Sequence, residues 1–355
     1  MKKILFIGNT PYQILLATWI KYHYFSQDSA DILIHDRLKG YEAVKANIET
    51  LSVFDQVIVQ PDHYKKTKLG RVGRIVREYQ FSKKRFHRSF YDELFFANFG
   101  FSSQRIFDVL KRNNFNLRTH YFEDGILSYS QKISYFYHRL SKPSFKTLTH
   151  DNALIKHYVC GELNDFWLFT PSLLEWNPDV EAIKAIDKID QADAEFKKII
   201  NCIFDFDQLE DIYSQKYIFF EESYFQDTGY MEDVQLIDAL ADEVGKENLM
   251  IKIHPRNQVN RFRERGYQTN TNTVIPWEVL ALNLDLDNKV LLTIASSSIV
   301  NPAAMFGCKA KAYSLMNCLA NKPYQLNSDY SKTVSNFFEY FDCIKLCEDL
   351  KEVTK

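Results

Sequence analysis

Two short motifs, Glu123-Asp124-Gly125 and His254-Pro255, carry the side chains best suited to acid–base chemistry in this chain of 355 residues. Paired carboxylates repel each other, so one of them can hold the raised pKa that suits a general base. A strand-ending acidic turn, in which the glycine supplies a positive φ, is the structural alternative. A histidine directly after a strand can meet a phosphate as a hydrogen-bond donor or acid, and a capping histidine at a turn is the alternative.

Further groups that could bind a phosphate lie near the histidine motif. Lys252 and Arg256 add positive charge on either side of it. Ser296, Ser297 and Ser298 follow an apolar run and would open a helix, where hydroxyls and free amides form an anion site. A plain N-cap would account for one of these serines but not obviously for three. A phosphate site of this kind, faced by a carboxylate from the acidic motif, fits transfer of a sugar from a nucleotide donor.

The elements that must position these motifs are strands and helices in alternation. Continuous apolar runs predict strands buried on both faces, as in a parallel sheet covered by helices. These runs lie near residues 4–7, 30–35, 56–60, 93–97, 118–122, 216–220, 249–253, 289–294 and 310–314. Two such series predict an α/β protein of two facing doubly wound, Rossmann-like domains. All three motifs directly follow a predicted strand, where open sheets place their ligands, and we expect the ligand in the cleft between the domains.

The bulk composition is that of a globular protein. The hydrophobic fraction is 46% and the charged fraction 25%, and a formal net charge of -2 leaves no whole-molecule argument for binding nucleic acid. The cysteine spacing fits no zinc signature, so we expect free thiols in a reducing cytoplasm. The apolar run after Lys3 is too short for a signal peptide or a membrane span, and we therefore expect a cytoplasmic protein.

Residues 64–88 form a basic segment, with ten lysines and arginines against a single acid, Glu78. A solvated helix face is one interpretation of this segment. A surface for an anionic membrane or for an acidic glycan acceptor is the other, because this excess of bases is larger than solubility requires. The membrane interpretation would place the protein peripherally at the inner face of the cell membrane.

The motif set resembles that of bacterial sialyltransferases, which share an acidic pair followed by glycine, a His-Pro sequence and a Ser/Thr-rich phosphate motif. With Asn9 to Gln13 (NTPYQ) at the start, the order and spacing are most similar to glycosyltransferase family 52, which includes lipooligosaccharide and capsular sialyltransferases. The resemblance covers roughly residues 1–325 as scattered short motifs. It implies a two-domain GT-B fold and an inverting, metal-independent transfer from CMP-sialic acid to a galactose-type hydroxyl of a capsule or lipooligosaccharide glycan.

The same resemblance implies a role for each group on the phosphate side. His254 would contact or protonate the departing CMP phosphate, and Ser296, Ser297 and Ser298 would hold that phosphate. Arg256 would add positive charge. Since these groups and a helix N-terminus can neutralise the phosphate, no metal ion or other cofactor is expected beyond CMP-sialic acid as co-substrate.

Two regions offer an acid that could serve as the general base. In some relatives the acidic pair before the glycine does this work, which points to Asp124 and its neighbour Glu123. In lipooligosaccharide members the base lies in the loop after the first strand of the C-terminal domain, which here is residues 221–227 (EESYFQD). This loop departs from the usual Gln-Pro or Ser-Pro pattern. Asp227 is the alternative candidate, with Glu222 behind it.

The stretch Pro276-Trp277-Glu278 matches the position at which such enzymes recognise cytidine. Glu278 could therefore bind the ribose or the base, while helix capping by Pro276 is the alternative. An Asp-x-Asp sequence at 285–287 is predicted to follow a helix rather than a strand, so we interpret it as solvated charge and not as a metal site. The expected partners are a nucleotide sugar and a glycan acceptor, without nucleic acid.

Three regions are predicted along the chain: an N-terminal acceptor-side Rossmann-like domain at 1–210, a C-terminal nucleotide-sugar donor-binding domain at 211–330, and a helical segment at 331–355. Residues 130–210 are expected to be mainly helical, and the aromatic stretch at 130–170 favours a homodimer. The alternatives are another GT-B transferase with a glucosyl, Kdo or CDP-glycerol donor in surface polysaccharide synthesis, or a non-catalytic glycan-binding protein. The acidic triplet favours the sialyltransferase interpretation.

Overall fold

The apolar runs form the strands of two parallel sheets in a computed structural model that describes residues 1–62, 70–141, 159–323, 326 and 329–354. Every residue from Ile4 to Ile7 in the first strand is buried, so both faces of the sheet are covered there. This explains why the run shows no alternation of apolar and polar residues. Residues 63–69 of the basic segment and 142–158 of the aromatic stretch linked to a homodimer lie outside the described residues.

The first unit comprises Met1–Asp124 and Gln131–Ile186. Its described strands are β1 (Lys3–Gly8), β2 (Ser29–His35), β3 (Gln56–Gln60), β4 (Glu93–Phe96), β5 (Arg118–Phe122), β6 (Asp165–Leu168) and β7 (Ala182–Ala185). Its described helices are α1 (Pro11–Tyr24), α2 (Tyr41–Leu51), α3 (Gly70–Phe86), α4 (Phe101–Asn113) and α5 (Gln131–Ser141). The strands pair in parallel in the order β3-β2-β1-β4-β5-β6-β7. The chain reverses direction across the sheet between β1 and β4, which opens a crevice at their carboxyl ends.

The second unit comprises Gly125–Ser130 and Asp187–Lys355. Its described strands are β8 (Tyr217–Phe220), β9 (Leu249–Lys252), β10 (Gln268–Thr269), β11 (Val290–Thr293), β12 (Lys311–Ser314) and β13 (Ile344–Leu346). Its described helices are α6 (Ala194–Ile203), α7 (Tyr224–Thr228), α8 (Glu232–Val244), α9 (Arg261–Glu264), α10 (Trp277–Asn283), α11 (Asn301–Phe306) and α12 (Asp329–Tyr340). The parallel order β10-β9-β8-β11-β12-β13 reverses between β8 and β11, and a ligand crevice is expected there.

The predicted pair of doubly wound, Rossmann-like α/β sheets is confirmed, whereas the mainly helical interpretation of 130–210 overlooked two strands. That stretch contributes β6 and β7 to the first sheet. Each has only four residues, and the outer strand β7 exposes alternate residues, so neither gives a long apolar run. Residues 331–355, predicted as helical, contain most of α12 but also β13, which forms the edge of the second sheet.

The two units meet along the chain at points that differ from the predicted boundary at 210. Residues 187–210 pack with the second unit, and so does the short segment Gly125–Ser130. Within the second unit the ring of Tyr129 packs edge-on against Phe337 of α12, with ring centroids 4.7 Å apart. None of the described helices is both long enough and apolar enough to cross a membrane. All six cysteines have free thiols.

Candidate active site

Residues 9–13 (NTPYQ) form the turn after the carboxyl end of β1 and the start of α1. Thr10 caps α1, because its hydroxyl oxygen accepts a hydrogen bond from the Gln13 amide at 3.2 Å, and Pro11 occupies the first helical turn. The side-chain oxygen of Gln13 accepts the amide hydrogen of Asn9 at 2.8 Å. Gln13 also hydrogen-bonds the carboxylate of Asp124. The motif therefore links the end of β1 to the acidic motif after β5.

Glu123 uses both of its carboxylate oxygens to hold this edge of the first sheet together. Its Oε1 accepts the hydroxyl hydrogen of Tyr12 on α1 at 2.6 Å. Its Oε2 accepts the amide hydrogen of Phe169, directly after β6, at 2.8 Å. The side chain is buried. A carboxylate engaged in this way orients its neighbours.

Asp124 is half-buried beside Gln13. Burial raises the pKa of its carboxyl, and the hydrogen bond to Gln13 offsets part of this effect. The next residue, Gly125, has φ 69° and ψ -163°, a conformation that residues with a Cβ rarely adopt. The acidic motif therefore combines a turn at a glycine of positive φ with a carboxyl of raised pKa. The structural and the functional interpretation of this motif are compatible.

In the second unit, His254 lies two residues beyond the end of β9. Its backbone N–H donates to Glu221 Oε2 at 3.2 Å, and its ring Nδ1 accepts the amide hydrogen of Arg256 at 3.2 Å. Since Nδ1 is an acceptor, the proton of the neutral ring lies on Nε2, which is a hydrogen-bond donor. Burial and the positive charges of Arg256 and Lys252 together lower the pKa of His254 to about 4, against an opposing effect of Asp227.

The serine motif forms a turn after β11. The Ser296 hydroxyl oxygen accepts the Ser298 amide hydrogen at 3.2 Å, and the same hydroxyl donates to Ser298 Oγ at 3.0 Å. A 3₁₀ turn at Ser297–Ile299 then leads into α11. A Cβ built on Gly125 would lie 3.9 Å from the Ser297 hydroxyl, so the glycine of the acidic motif is next to this turn within the second unit.

The predicted cytidine stretch lies beside the serine turn. The indole N–H of Trp277 donates to the carbonyl oxygen of Ser298 at 2.8 Å. Glu278 Oε1 accepts a hydrogen bond from the side-chain amide of Asn301 at 2.5 Å, and burial raises the pKa of this glutamate. Pro276 is extended and immediately precedes α10. The stretch and the serine turn therefore form one connected region.

At the carboxyl edge of the second sheet, the last residues of β9, β8 and β11 are paired with one another. Lys252 is paired in register with Phe220, and Phe220 with Thr293, so their side chains share one face of the sheet. Lys252 is buried, and burial lowers its pKa to about 8, while the charge of Glu278 acts in the opposite direction. The buried amine also lowers the pKa of His254, so its charge acts on the histidine turn as well as on the cytidine stretch.

Arg256 and Asp227 form an exposed ion pair at the rim of this region. Their side chains are 65% and 37% exposed, and Arg256 Nη2 lies 3.5 Å from Asp227 Oδ2. The Ser223 hydroxyl donates to Asp227 at 2.7 Å and accepts from Arg256 at 2.6 Å. Asp227 is therefore paired with a cation. It lies in α7, a short helix within the stretch predicted as a loop.

Two further acids, Glu221 and Glu222, support these turns; the sequence analysis did not single out Glu221, and it considered Glu222 only as a reserve candidate for the base. Their signal is an acidic pair directly after a buried strand, the same pattern that singled out Glu123 and Asp124. Across the described residues, no group of three or more His, Cys, Asp or Glu side chains is arranged to hold a metal ion.

The fold and the clustered motifs define a glycosyltransferase of the GT-B type. A crystal structure of an alpha/beta-galactoside alpha-2,3-sialyltransferase from Photobacterium phosphoreum aligns over 97% of this chain and 98% of its own, with a TM-score of 0.58 and 12% identity. The calicheamicin glycosyltransferase CalG4 aligns over 100% and 89%, with a TM-score of 0.55 and 9% identity. A UDP-GlcNAc 2-epimerase from Methanocaldococcus jannaschii aligns over 100% and 91%, with a TM-score of 0.53 and 11% identity. At these identities the likeness concerns the fold.

The sequence itself gives the family. Residues 4–315 match the model of the alpha-2,8-polysialyltransferase family, and the chain belongs to this family. No curated protein sequence matches significantly. The predicted glycosyltransferase activity and the predicted sialyltransferase class are confirmed at this level. The finer resemblance to glycosyltransferase family 52 stays a prediction.

Proposed function

We propose that the protein transfers a sialyl residue from CMP-sialic acid to a glycan hydroxyl by an inverting, metal-independent displacement. The observation that carries this proposal is the grouping, within the second unit, of a neutral histidine, a serine turn and the Trp277–Glu278 stretch. The histidine and the serines offer hydrogen-bond donors at the carboxyl edge of the sheet. The nearby charges of Lys252 and Arg256 are positive, which suits a phosphate.

In this proposal the second unit stabilises the departing CMP. As the bond between the anomeric carbon and the phosphate oxygen breaks, negative charge grows on the phosphate. The Nε2–H of the neutral His254 ring donates a hydrogen bond to that charge, and the proton stays on the ring while CMP leaves with its phosphate ionised. Hydroxyl and amide hydrogens of the serine turn hold the other phosphate oxygens.

Asp124 is the general base in this proposal. It takes the proton of the acceptor hydroxyl, whose oxygen forms the new bond to the anomeric carbon as the phosphate leaves. Burial of the carboxyl favours its protonated form, which helps it to hold that proton. Asp227 is less suited to the role because its carboxylate is paired with Arg256.

The description of the family as alpha-2,8-polysialyltransferases supports an acceptor that already ends in sialic acid. The resemblance to family 52 instead supports a galactose-type hydroxyl of a capsule or lipooligosaccharide glycan. We therefore propose the sialylated acceptor first, and a galactose-terminated oligosaccharide is the comparison substrate in the assay below.

Turnover of CMP-sialic acid with each acceptor tests the proposal. His254→Ala and Asp124→Asn should each lower kcat by roughly 10²–10⁴-fold, because each removes a group that acts on a proton or a charge in the transition state. Asp287→Asn is the matched control for the aspartate variant, since its side chain is exposed, and it should keep wild-type turnover. Full activity in both site variants would refute the site assignment.

A thermal-shift series with CMP, UDP, GDP and CDP tests the donor separately from turnover. Stabilisation by CMP alone is expected, since a ligand that binds the folded state raises the melting temperature. Stabilisation by UDP or GDP instead would favour another GT-B transferase, and binding of CMP without turnover on either acceptor would favour a non-catalytic glycan-binding protein.

We also propose that one edge of the first unit contacts an anionic membrane. Phe90 and Phe115 are 56% and 74% exposed, and they lie on two turns that are tied together. Asn113 donates to the carbonyl oxygen of Ser89 at 2.8 Å, and the next asparagine donates to that of Tyr91 at 2.8 Å. The adjoining exposed bases are Lys83, Lys84, Arg85, His87 and Arg88. Aromatic side chains flanked by bases favour the interface of an anionic bilayer.

Sedimentation with vesicles tests this surface. Wild-type protein should bind phosphatidylglycerol-containing vesicles more tightly than pure phosphatidylcholine vesicles, with binding weakened by salt. The double variant Phe90→Ser with Phe115→Ser should weaken that binding roughly tenfold or more, since two apolar side chains no longer enter the interface. Val259→Ser, an exposed apolar position in the second unit, is the control. Equal binding by the double variant, or binding to a sialic acid polymer but to neither vesicle, would refute the proposal.

A further inference from the structure

Two consecutive acids, Glu221 and Glu222, directly follow β8, the strand that lies between β9 and β11. Consecutive residues in extended backbone direct their side chains to opposite sides. Here one carboxylate engages the turn after β9 and the other engages the turn after β11. The dipeptide is therefore connected to both turns that offer groups to a phosphate.

Glu221 is fixed by a buried ion cluster and in turn fixes the histidine turn. Its Oε1 accepts from Arg261 Nη2 at 3.1 Å, and the same guanidinium contacts both oxygens of Asp233 at 2.6 and 3.1 Å. Its Oε2 accepts the backbone N–H of His254 at 3.2 Å. All three charged side chains of the cluster are buried. The rigid guanidinium fork thus sets where the backbone of the histidine turn begins.

Glu222 supports the serine turn through a different set of donors. Its Oε1 accepts the amide hydrogen of Ala295 at 2.7 Å and the hydroxyl hydrogen of Thr293 at 2.6 Å. The Thr293 hydroxyl oxygen accepts the amide hydrogen of Ser296 at 3.0 Å. A chain of hydrogen bonds therefore runs from the glutamate to the first serine of the motif.

We propose that Glu221 and Glu222 are the positioning residues of the donor site, Glu221 for the histidine turn and Glu222 for the serine turn. This inference rests on the proposed function, because it takes the two turns as the phosphate-binding elements. It assigns neither acid to proton transfer with the acceptor. One dipeptide directly after β8 then sets the spacing between the group that donates to the phosphate and the turn that holds it.

The two acids differ in how their negative charge is tolerated next to a phosphate. Glu221 is paired with a cation, whereas the partners of Glu222 are an amide and a hydroxyl. Burial, assisted by the negative charges of Asp233 and Glu221, raises the pKa of Glu222 to about 7 against the lowering effect of its hydrogen bonds with Ala295 and Thr293. The charge of Glu222 in turn contributes to the raised pKa of Tyr230, whose main cause is burial. A bound phosphate favours the protonated form in the same way, so donor binding and proton uptake are coupled at this residue.

The test compares CMP affinity and kinetics of three variants. Glu222→Ala removes the acceptor of the buried Ala295 amide and the shorter of the two hydrogen bonds donated by the Thr293 hydroxyl, and it should weaken CMP binding at least about tenfold. Glu222→Gln keeps an acceptor oxygen and should bind CMP within about threefold of wild type at pH 6. Glu221→Gln disturbs the histidine turn, so kcat should fall about tenfold or more while the dissociation constant of CMP changes much less.

The pH dependence of CMP affinity distinguishes the proposed role of Glu222 from a purely structural one, because a purely structural role would not change with pH. Wild-type affinity for CMP should fall relative to Glu222→Gln as pH rises from 6 to 8, because the wild-type carboxylate loses its proton through about pH 7. The titration of CMP itself is common to both proteins and cancels in the ratio. Glu264→Gln, an exposed glutamate of the same unit, should match wild type in every measurement.

The outcomes separate this inference from the proposed function. Two outcomes would overturn the positioning roles alone. In the first, wild type binds CMP and Glu222→Ala binds it equally well. In the second, the Glu221 and Glu222 variants lose kcat and CMP affinity to the same extent and also share a loss of melting temperature. If another nucleotide stabilises the wild type, that nucleotide replaces CMP in the same comparison. If none of the four binds, the donor site and its positioning residues fall together.

Discussion

The ring of His254 is held in one tautomer by a bond within its own turn. The amide of Arg256 donates to Nδ1, and the surroundings exclude water from much of the ring. The neutral ring keeps its hydrogen on Nε2, which can donate a hydrogen bond to an anionic ligand. The same arrangement makes protonation of the ligand-free protein costly.

His254 should therefore make the folded protein less stable in acid. The pKa of the histidine falls from 6.5 in the unfolded chain to about 4 in the folded chain, so the unfolded state binds more protons between these values. The stabilising contribution is present above pH 6.5 and is lost as pH falls toward 4. We expect the free energy of unfolding of wild type, relative to His254→Asn, to drop by about 2 kcal/mol between pH 7.5 and pH 5.

Chemical denaturation of both proteins at several pH values measures this difference. The variant serves as the reference for all other titrating groups, including Glu78, whose pKa burial raises to about 7 and which acts in the opposite direction. A difference that stays flat from pH 7.5 to pH 5 would contradict the burial of a neutral ring.

At the residue scale the sequence identified the chemical motifs but not the partners of their side chains. Glu123 and Asp124 look equivalent as letters, yet Glu123 is engaged by Tyr12, 111 positions away, and by Phe169, 46 positions away. Hydrogen bonds across such separations depend on which strands become neighbours. No local pattern reports that, so the sequence could propose an acidic pair but could not rank its members.

The turn that begins at Gly125 connects two kinds of element, the end of β5 and a 3₁₀ turn over Ile126–Tyr129. Its φ of 69° and ψ of -163° belong to a region that is essentially restricted to glycine. The structure therefore makes the glycine of the acidic motif a backbone requirement. Its proximity to the Ser297 hydroxyl links that requirement to the serine turn.

Gly125→Ala should lower stability by about 1–3 kcal/mol and should also lower turnover, because any relief of the strain displaces the turn next to Asp124 and Ser297. Gly229→Ala is a matched control. Gly229 also has a positive φ, 76°, but a Cβ there would meet no atom within 4 Å. The control should lose about 1 kcal/mol of stability and keep its turnover. Melting curves and initial rates check both changes, and equal turnover in the two variants would contradict the expectation.

At the element scale the long apolar strands were predictable and the short ones were not. β1 and β9 are continuous apolar runs, because both of their faces are covered. β7 and β13 have four and three residues and lie at the outer edges of their sheets, where exposed residues interrupt the apolar pattern. They are strands because a neighbouring edge is available for pairing, which is tertiary information.

Seen over the whole molecule, the groups proposed to bind the donor lie at the carboxyl edge of the second sheet. Binding of CMP should slow hydrogen exchange at amides in 252–258 and 293–300, because these turns would contact the ligand. The strands β4 and β5 of the first unit lie outside this region and provide an internal reference. Protection confined to other segments would contradict the location of the donor site.

The overall architecture was the most predictable level, and the division into units the least. Alternating strands and helices predict two doubly wound sheets, and the reversal of strand order then indicates which edge binds ligands. The chain, however, does not change units at one linker. The segment Gly125–Ser130 packs with the second unit, although the residues on both sides of it belong to the first. Nothing in the composition of this segment predicts that it packs with the second unit.

This packing has a consequence for how the two halves can be inherited or engineered. A gene fragment that encodes only residues 187–355 would omit Tyr129, whose ring covers Phe337 of α12. The remaining polypeptide would expose an apolar surface that the intact chain buries. Residues 187–355 are therefore not a complete structural unit by themselves. Recombination that exchanges donor specificity between such enzymes would have to carry the 125–130 segment along with it or supply a compatible replacement.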